Sequence, residues 1–391
     1  MTRSWPTISG VAPAVAAFLE PSHTETAGRV MAWSEEHLLE RPEPADDTAA
    51  RSDARALLQA IGAAGWLRGI AEQDLRGVCI VREIIAAMSP LADAVVALQG
   101  LGGTAIGLGG TPAQRDRWLP AIADGRSMAG FAMTEPDAGS DVAALATTAT
   151  RDGDSWVLNG EKHLISNAGI ADVYVVFART APGPGSRGIS AFIVPADTPG
   201  LRFAGAQVLA APHPLGKLRF DGCRVPAEAI LGELDRGFKL GMATLDRLRP
   251  TVGAAACGMA ARALDEAIHH ATQRRQFGEP LSGFQLIRAR LGRMATQLAA
   301  ARLLVYHAAW TKDRGAERIT VEAAMAKSFA TEAAQQVVDD AVQISGGLGV
   351  LVGSPVERLY RSVRALRIYE GATEIQHLII GGAIVQTGAH S

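Results

Sequence analysis

Cysteine is scarce in this sequence of 391 residues, which contains only Cys79, Cys223 and Cys257. None of them belongs to a CxxC pair, and no histidine cluster lies nearby. The sequence therefore supports neither a disulfide framework nor a zinc site. We expect no bound metal and a reducing compartment, which we interpret as the cytoplasm.

An excess of charge of one sign is also missing. The 38 Lys and Arg residues stand against 40 Asp and Glu residues, and the formal net charge is −2. No block of like charges forms a tail, so no long-range field would attract nucleic acid or anionic lipid. We expect no nucleic-acid partner. Arginine far outnumbers lysine, a composition associated with GC-rich bacterial genomes.

Long apolar runs without interruption are absent as well. The run at residues 11–19 is broken by Pro13 and followed by Glu20, which argues against a signal peptide. The longest uncharged stretch, residues 94–114, contains six glycines, which lower helix stability and hydrophobicity. We expect packed helix ends and a loop in this stretch, and no membrane association.

The spacing of the hydrophobic residues changes twice along the chain. From about residue 10 to residue 130 they recur at helical spacing, as at Ala54, Leu57, Leu58 and Ile61. From about residue 237 this spacing returns and predicts an apolar helix face formed by Val252, Ala256, Met259, Ala263 and Ala267. Between these parts, short β-rich segments at residues 156–162, 173–178, 189–194 and 218–225 alternate with turns. The sequence predicts an α+β protein with a helical domain at residues 1–130, a β domain at 131–232 and a helical domain at 233–391.

Two short motifs predict local structure. Thr111 and Gln114 flank Pro112 in the pattern of a capping box, which predicts the start of a helix. Asn159-Gly160 tolerates the positive φ angles of a type I′ turn, so we expect a β-hairpin within residues 156–162.

A polar loop with the sequence FAMTEPDAGSD occupies residues 131–141, where the first helical part ends. Its Thr and Ser hydroxyls and the backbone N–H groups near Gly139 suit hydrogen bonds to an acceptor-rich ring and to phosphate. The plain alternative is a capped turn without a ligand. The spacing of these residues alone does not decide between the two.

Five segments together resemble the acyl-CoA dehydrogenase family, and they occur in the order in which the family has them. The segments are TEP-x-AGSD at residues 134–141, KHLISN at 162–167, R-x-x-FG at 274–278, QISGGLG at 343–349 and IYEGATEIQ at 368–376. The similarity extends from residue 111 to residue 376. Five motifs in one order are stronger support than any one of them.

This resemblance implies a middle domain like a β-barrel, a C-terminal four-helix bundle and bound FAD. The implied cofactor-binding residues are Phe131, Met133, Thr134, Gly139, Ser140, Leu164, Ser166, Arg274, Phe277, Gln343, Gly346, Gly347, Ala372, Thr373 and Glu374. The implied substrate-binding residues are Ser140, Asp246, Arg249 and Gly371. In the family, the counterparts of Arg274 and of the two glycines reach FAD across a subunit interface, which implies a homodimer or a homotetramer.

The resemblance also implies the reaction, which removes hydrogen across Cα–Cβ of an acyl thioester. Glu370 would take the α-proton and FAD the β-hydride, because no side chain accepts a hydride. Some members of the family carry the base in an LD-x-ER segment, but residues 245–249 read LDRLR, with Leu248 in place of the carboxylate. Glu370 is therefore the only candidate base. Asp246 and Arg249 match residues on the pantetheine side, although their spacing equally predicts an ion pair on one helix face.

Three departures from the family pattern leave the acyl carrier and the electron acceptor undetermined. Leu164 stands where an aromatic residue usually stacks on the flavin, Ala372 replaces a threonine, and residues 208–219 lack the usual polar run. The acyl carrier can therefore be CoA or an acyl carrier protein, and the electron acceptor an electron-transfer flavoprotein or O₂. A flavin oxidase or monooxygenase of the same fold and a non-catalytic FAD-binding paralogue are the alternative functions.

Overall fold

The computed structural model describes residues 15–388, and the first part of the apolar run at residues 11–19 lies outside them. These residues form two compact units. The bundle unit takes the chain up to Glu43, Asp74–Asp93, and the chain from Asp246 onward. The sheet unit takes Pro44–Gln73 and Ala94–Leu245.

Helices make up the N-terminal and C-terminal parts of the chain. They are α1 (Pro21–His37), α2 (Asp47–Ala63), α3 (Arg68–Glu72), α4 (Leu75–Met88), α5 (Pro90–Gly109), α6 (Pro112–Ala123), α7 (Gly237–Gln273), α8 (Gln285–Asp313), α9 (Thr320–Ser345), α10 (Pro355–Leu366) and α11 (Thr373–Gly388). The predicted capping box is confirmed, since Thr111 and Gln114 exchange hydrogen bonds between side chain and backbone N–H at the start of α6.

In the bundle unit, α9 packs against α8, α10 and α11, and α4 packs against α1 and α8. The predicted apolar face of α7 is buried along its length at Val252, Ala256, Met259, Ala263 and Ala267. A buried ion pair fixes α4 to α8, because Glu83 accepts hydrogen bonds from Arg302 Nε at 2.5 Å and from Tyr306 Oη at 2.8 Å. Burial of the apolar faces and satisfaction of this carboxylate stabilise the bundle.

Strands form the middle part of the chain. They are β1 (Ala129–Ala132), β2 (Thr148–Asp152), β3 (Ser155–Ser166), β4 (Val173–Arg179), β5 (Ile189–Pro195), β6 (Leu201–Ala206), β7 (Leu215–Pro226) and β8 (Ile230–Leu231), with the short pair β9 (Arg275–Gln276) and β10 (Glu279–Pro280) later in the chain. The first eight form one sheet in the order β6-β7-β3-β2-β4-β5-β8, and β1 lies parallel to β4. Helical N-terminal and C-terminal parts with a central sheet domain confirm the predicted α+β class.

The predicted hairpin at Asn159-Gly160 is wrong. Both residues lie inside the continuous strand β3, and the turn precedes it, with φ of +59° at Gly153. At Gly160 the register of β3 against β7 shifts, and a Cβ atom there would lie 2.5 Å from Thr147 Oγ1. The glycine is therefore required by a bulge and a close approach within the sheet, where no chain reversal occurs.

The predicted helix ends and loop at residues 94–114 are also wrong over most of their length, because α5 continues to Gly109. A Cβ atom at Gly102 would lie 2.6 Å from Ala129 Cβ, and one at Gly103 would lie 2.9 Å from Ile70 Cγ2. Close packing thus requires glycine at both positions and overrides its low helix propensity. This helix is long and apolar enough to cross a membrane by length and composition, but 83% of its most apolar window is buried inside the protein, as in a core helix.

Candidate active site

In the sheet unit, three hydrogen bonds hold the loop that follows β1 against β3. The N–H of His163 donates to the carbonyl oxygen of Thr134 at 2.9 Å. The fully buried Lys162 donates from Nζ to the carbonyl oxygen of Met133 at 3.1 Å and to Glu135 Oε1 at 2.7 Å. The start of the TEP-x-AGSD segment is therefore fixed beside the KHLISN segment.

Both carboxylate oxygens of Glu135 accept hydrogen bonds that hold this loop. Its carboxylate also accepts from the N–H groups of Ala146 and Thr147 at 2.5 and 3.0 Å. Burial raises the pKa of Glu135, but Lys162 and these donors outweigh burial, so the pKa lies below its usual range. The carboxylate is thus ionised and positions the loop, because no oxygen of it is left without a partner.

The sheet unit carries seven of the predicted cofactor residues. Leu164 has a φ of +52° and a residue surface that is 54% exposed, and its N–H donates to Gln207 Oε1 at 2.8 Å. Phe131 packs on Phe177 with ring centroids 4.9 Å apart. The other five are the buried Met133, the partly buried Thr134 and Ser166, and the exposed Gly139 and Ser140.

In the bundle unit, the candidate base lies on a turn between α10 and α11. Glu370 and Gly371 both have positive φ angles, +55° and +93°. A glutamate at positive φ is strained, and such strain persists only where surrounding contacts hold it.

Three side chains from α7, α9 and α11 hold the two carbonyl groups of this turn. Arg249 Nε donates to the carbonyl oxygen of Glu370 at 3.1 Å. Lys327 Nζ and Gln376 Nε2 donate to the carbonyl oxygen of Gly371 at 2.8 and 2.9 Å. Lys327 and Gln376 are fully buried. These contacts fix the orientation of both peptide groups.

The N–H of Glu370, in contrast, finds no acceptor among residues 15–388. One carboxylate oxygen of the same residue, Oε2, is inaccessible to solvent and has no hydrogen-bond partner there either. A donor and a proton acceptor are therefore both free on one residue. This is the arrangement that a general base and a carbonyl-binding N–H require.

Burial raises the pKa of Glu370 above its ordinary value, with a smaller contribution in the same direction from Asp93. The cations Arg82, Lys327 and Arg249 oppose this effect. Arg82 is itself held by Asp93, through bonds of 2.8 and 2.9 Å, and by Thr251 Oγ1 at 2.8 Å. A carboxylate with a raised pKa is a stronger base once it is ionised.

Asp246 and Arg249 form the ion pair that their spacing predicts. Arg249 donates to Asp246 Oδ1 at 2.6 Å, and Thr320 donates to Asp246 Oδ2 at 2.6 Å. Arg249 thus connects the pair to the turn at Glu370. Gly371, another predicted substrate residue, lies in the turn itself.

The remaining predicted cofactor residues lie on the surface or at helix ends of the bundle unit. Arg274 follows the last residue of α7 and is exposed, and Phe277 is 94% exposed with a φ of +51°. Gln343, Gly346 and Gly347 are exposed around the end of α9. Gly346 is the C-cap of α9, with a φ of +59°. It therefore has the ordinary role of a helix cap, and its contact with FAD stays a prediction.

Ala372, Thr373 and Glu374 lie at the start of α11. Thr373 is buried, and its hydroxyl donates to Glu332 Oε1 at 2.7 Å, so its proton is committed inside the protein. Ala372 is partly buried and Glu374 is exposed.

Sequence reasoning missed Lys327 and Gln376 as residues of this site. Gln376 belongs to the segment IYEGATEIQ but received no role. The signal at Lys327 was a single lysine on an alanine-rich helix face, at residues 323–330, where a cation is costly to bury unless it has a partner. Among the residues that the structure describes, no group of His, Cys, Asp and Glu side chains could hold a metal ion.

Comparison with known proteins decides the family. Three family models match: the acyl-CoA dehydrogenase N-terminal domain at residues 20–126, the middle domain at 130–223 and the C-terminal domain at 235–385. The chain is 38% identical over 378 residues to the probable acyl-CoA dehydrogenase fadE25 of Mycobacterium leprae, over 94% of this chain and 96% of the relative. The chain belongs to the acyl-CoA dehydrogenase family.

Solved structures agree with this assignment. The butyryl-CoA dehydrogenase of Megasphaera elsdenii has a TM-score of 0.87 at 33% identity, over 94% of this chain and 99% of the other. A chain in a structure of the electron transferring flavoprotein of Acidaminococcus fermentans has a TM-score of 0.86 at 34% identity, over 94% and 98%. The predicted family, enzyme class and cofactor are confirmed: this acyl-CoA dehydrogenase is an FAD-dependent oxidoreductase.

The residues present fit FAD. The exposed apolar surface of Leu164, with hydroxyl residues Thr134 and Ser166 on the adjoining backbone, suits a planar ring that has a polar edge. The exposed guanidinium of Arg274 suits a phosphate.

Proposed function

We propose that this acyl-CoA dehydrogenase introduces a Cα–Cβ double bond into an acyl-CoA, with Glu370 as the base that removes the α-proton. The observation that carries the proposal is the unpartnered, buried Oε2 of Glu370 on a turn that Arg249, Lys327 and Gln376 hold. A general base must be free to accept a proton and must not move away from it. FAD, when bound, supplies the acceptor for the β-hydride.

The free N–H of Glu370 has a role in the same step. When the α-proton leaves, negative charge develops on the thioester carbonyl oxygen, and a fixed N–H donor stabilises that charge. We propose that the N–H of Glu370 donates to this oxygen. The donors to the carbonyl groups of Glu370 and Gly371 fix the two peptide groups that follow this N–H, so the backbone of Glu370 is held on its C-terminal side before substrate binds.

We further propose the remaining residue roles that the family pattern implies. The cofactor contacts would come from the TEP-x-AGSD and KHLISN segments and from Arg274, Phe277, Gln343, Gly346 and Gly347. Ser140, Asp246, Arg249 and Gly371 would contact the thioester substrate. The domains proposed at residues 1–130, 131–232 and 233–391 and the cytoplasmic location belong to the same proposal.

CoA is the carrier that we propose, and a direct comparison tests both the carrier and the reaction. We expect that an acyl-CoA bleaches the bound flavin under anaerobic conditions, with a kcat/KM at least about tenfold above that for the same acyl group on a carrier protein, a difference of about 1.4 kcal/mol. The acyl group on pantetheine is the control for the nucleotide part of CoA. A higher kcat/KM for the carrier-protein thioester would contradict CoA as the carrier. If no thioester bleached the flavin, the proposed dehydrogenase function would be wrong.

An electron-transfer flavoprotein is the acceptor that we propose, on the basis of the similarity to the Acidaminococcus fermentans structure. Association into a homo-oligomer is supported by large apolar side chains that are exposed on the bundle unit. They lie after α9, at Leu348, Val350, Leu351 and Val352, and on α11, at Leu378, Ile384 and Val385. Such clusters are typical of surfaces that associate with other chains.

Arg274→Ala tests the link between FAD and association. A charged hydrogen bond to phosphate contributes about 1.5–3 kcal/mol, so we expect FAD to bind at least about tenfold more weakly, measured by titration of the FAD-free protein. Because the proposed contact crosses an interface, the oligomer should dissociate at lower protein concentration when FAD is removed, measured by sedimentation.

Arg187→Ala is the matched control, because Arg187 is an exposed arginine in the loop between β4 and β5. It should leave both measurements unchanged. An Arg274→Ala protein that retains FAD as the wild type does, or a fully active monomer, would contradict this proposal.

A further inference from the structure

His213 lies beside Ser166, which is a predicted flavin contact. It stands between Pro212 and Pro214 in the segment before β7, and its Nε2 is 2.8 Å from Oγ of Ser166, the last residue of β3. Its other ring nitrogen, Nδ1, is inaccessible to solvent and has no hydrogen-bond partner among the described residues. The imidazole is thus hydrogen-bonded at Nε2 and has a buried, unsatisfied nitrogen at Nδ1, which is rare in folded proteins.

The segment that carries His213 is fixed on both sides. The N–H of Asn167 donates to the carbonyl oxygen of Pro214 at 2.9 Å. Arg51 on α2 donates to the carbonyl oxygens of Ala168 and Leu215 at 2.5 and 2.7 Å. The two prolines restrict the backbone further, because each fixes its own φ. The ring is therefore held against Ser166 by rigid neighbours.

The imidazole is neutral near pH 7. Burial lowers the pKa of His213 to about 4, and the guanidinium of Arg51 acts in the same direction, while the carboxylate of Asp47 opposes both. Arg51 and Asp47 are themselves an ion pair on α2, at 2.6 Å. A neutral imidazole carries one N–H, so one nitrogen donates and the other accepts.

The buried Nδ1 without a hydrogen-bond partner indicates which tautomer of His213 is present. A buried N–H without an acceptor is rarer than a buried acceptor that lacks a donor. The proton is therefore placed on Nε2, where it donates to Ser166 Oγ, and the lone pair remains on Nδ1. The hydroxyl of Ser166 then accepts from His213, so its own proton is directed away from the histidine and polarised by the bond that it accepts.

We infer that His213 is a positioning residue that holds the hydroxyl of Ser166 as a hydrogen-bond donor toward the flavin ring. This inference rests on the proposed function, which places Ser166 at FAD. A donor to the ring interacts differently with oxidised and reduced flavin, so it affects the reduction potential of the bound cofactor. It does not require that His213 touch FAD.

The tautomer is tested first, by ¹⁵N NMR of the histidine rings in the purified holoenzyme, with His213→Gln to assign the signal. We expect a protonated Nε2 and an unprotonated Nδ1 between pH 6 and pH 8. A proton on Nδ1, or a doubly protonated ring, overturns the inference. This measurement needs no substrate, so it remains decisive even if the proposed thioester is the wrong one.

The reduction potential of bound FAD is the second test. We expect His213→Leu and Ser166→Ala to change the equilibrium constant for two-electron reduction in the same direction by about tenfold, which is about 30 mV. The double variant should show little more than either single change, because both remove one interaction. His213→Gln, whose amide nitrogen replaces Nε2 as a donor, should restore most of the wild-type potential.

Additive shifts, or a His213→Leu protein with the wild-type potential, overturn the inference. Loss of FAD from all variants together with the wild type would instead contradict the proposed function. Whether the wild-type protein retains FAD therefore distinguishes a failure of the proposed function from a failure of this inference.

Discussion

Glu370→Gln is expected to slow flavin reduction by an acyl-CoA by about 10³–10⁴-fold, while FAD remains bound. Glutamine keeps the size of the side chain but cannot accept the α-proton. The backbone contacts of the turn involve carbonyl groups, so they persist in the variant, and the N–H of residue 370 is retained. The loss should therefore appear in the chemical step, measured by anaerobic stopped-flow bleaching of the flavin at saturating substrate.

A matched control is Glu25→Gln, which makes the same chemical change at an exposed position on α1. We expect it to reduce flavin at the wild-type rate. If Glu370→Gln also reduced flavin within about tenfold of the wild type, the base would have to be another group and the proposed mechanism would be wrong.

Much of the fold was accessible from sequence because local periodicity and burial agree. The face of α7 from Val252 to Ala267 and the buried positions Ala54, Leu57, Leu58 and Ile61 of α2 were predicted from helical spacing, and all of them are buried. The order of helical, β and helical segments followed from the same pattern. These features depend on neighbours within one element, which the sequence displays directly.

The two errors in the fold have a common cause. Gly160 and the pair Gly102–Gly103 were interpreted from intrinsic preference, as a turn and as helix-weakening residues. Both are instead glycines at close approaches, to Thr147 in one case and to Ala129 and Ile70 in the other. Glycine carries two meanings, conformational freedom and lack of a side chain, and only tertiary packing decides between them.

The candidate site was accessible only in part. The segment IYEGATEIQ around Glu370 resembles a motif of the family, so the base could be proposed from the sequence. The residues that hold it could not, because Lys327 lies 44 positions from Gly371 and Arg249 lies 121 positions from Glu370. His213 and Ser166 are likewise 47 positions apart. No spacing rule for helices or strands connects such pairs, and their contacts arise only when the elements pack.

Lys327→Met is expected to move the acid limb of the pH–rate profile for flavin reduction to higher pH. Burial raises the pKa of Glu370, and Lys327 is one of three cations that lower it. Removing this cation leaves Arg82 and Arg249 against Asp93, so the pKa of Glu370 rises further and less of the base is ionised at low pH. A lost interaction of about 1.4 kcal/mol corresponds to a rate about tenfold lower below the midpoint of the profile, with recovery at high pH.

Lys327→Arg is the matched control, because it keeps the positive charge beside Glu370. Its acid limb should remain at the wild-type position. A Lys327→Met protein whose rate falls equally at all pH values would show that Lys327 only holds the turn through the carbonyl of Gly371 and does not act on the charge of Glu370.

The pH dependence of the free energy of unfolding independently tests the lowered pKa of Lys327. Burial lowers the pKa of Lys327 from 10.5 to about 8, with Glu370 opposing burial, so between these values the unfolded chain binds a proton that the folded protein does not. The contribution of Lys327 to stability therefore increases as the pH rises from about 8 to 10.5, because keeping the charged amine buried no longer opposes folding. Lys327→Met lacks this contribution. The free energy of unfolding of the wild type, measured by denaturant titration, should rise relative to that of the variant across this range, and parallel curves would contradict the lowered pKa.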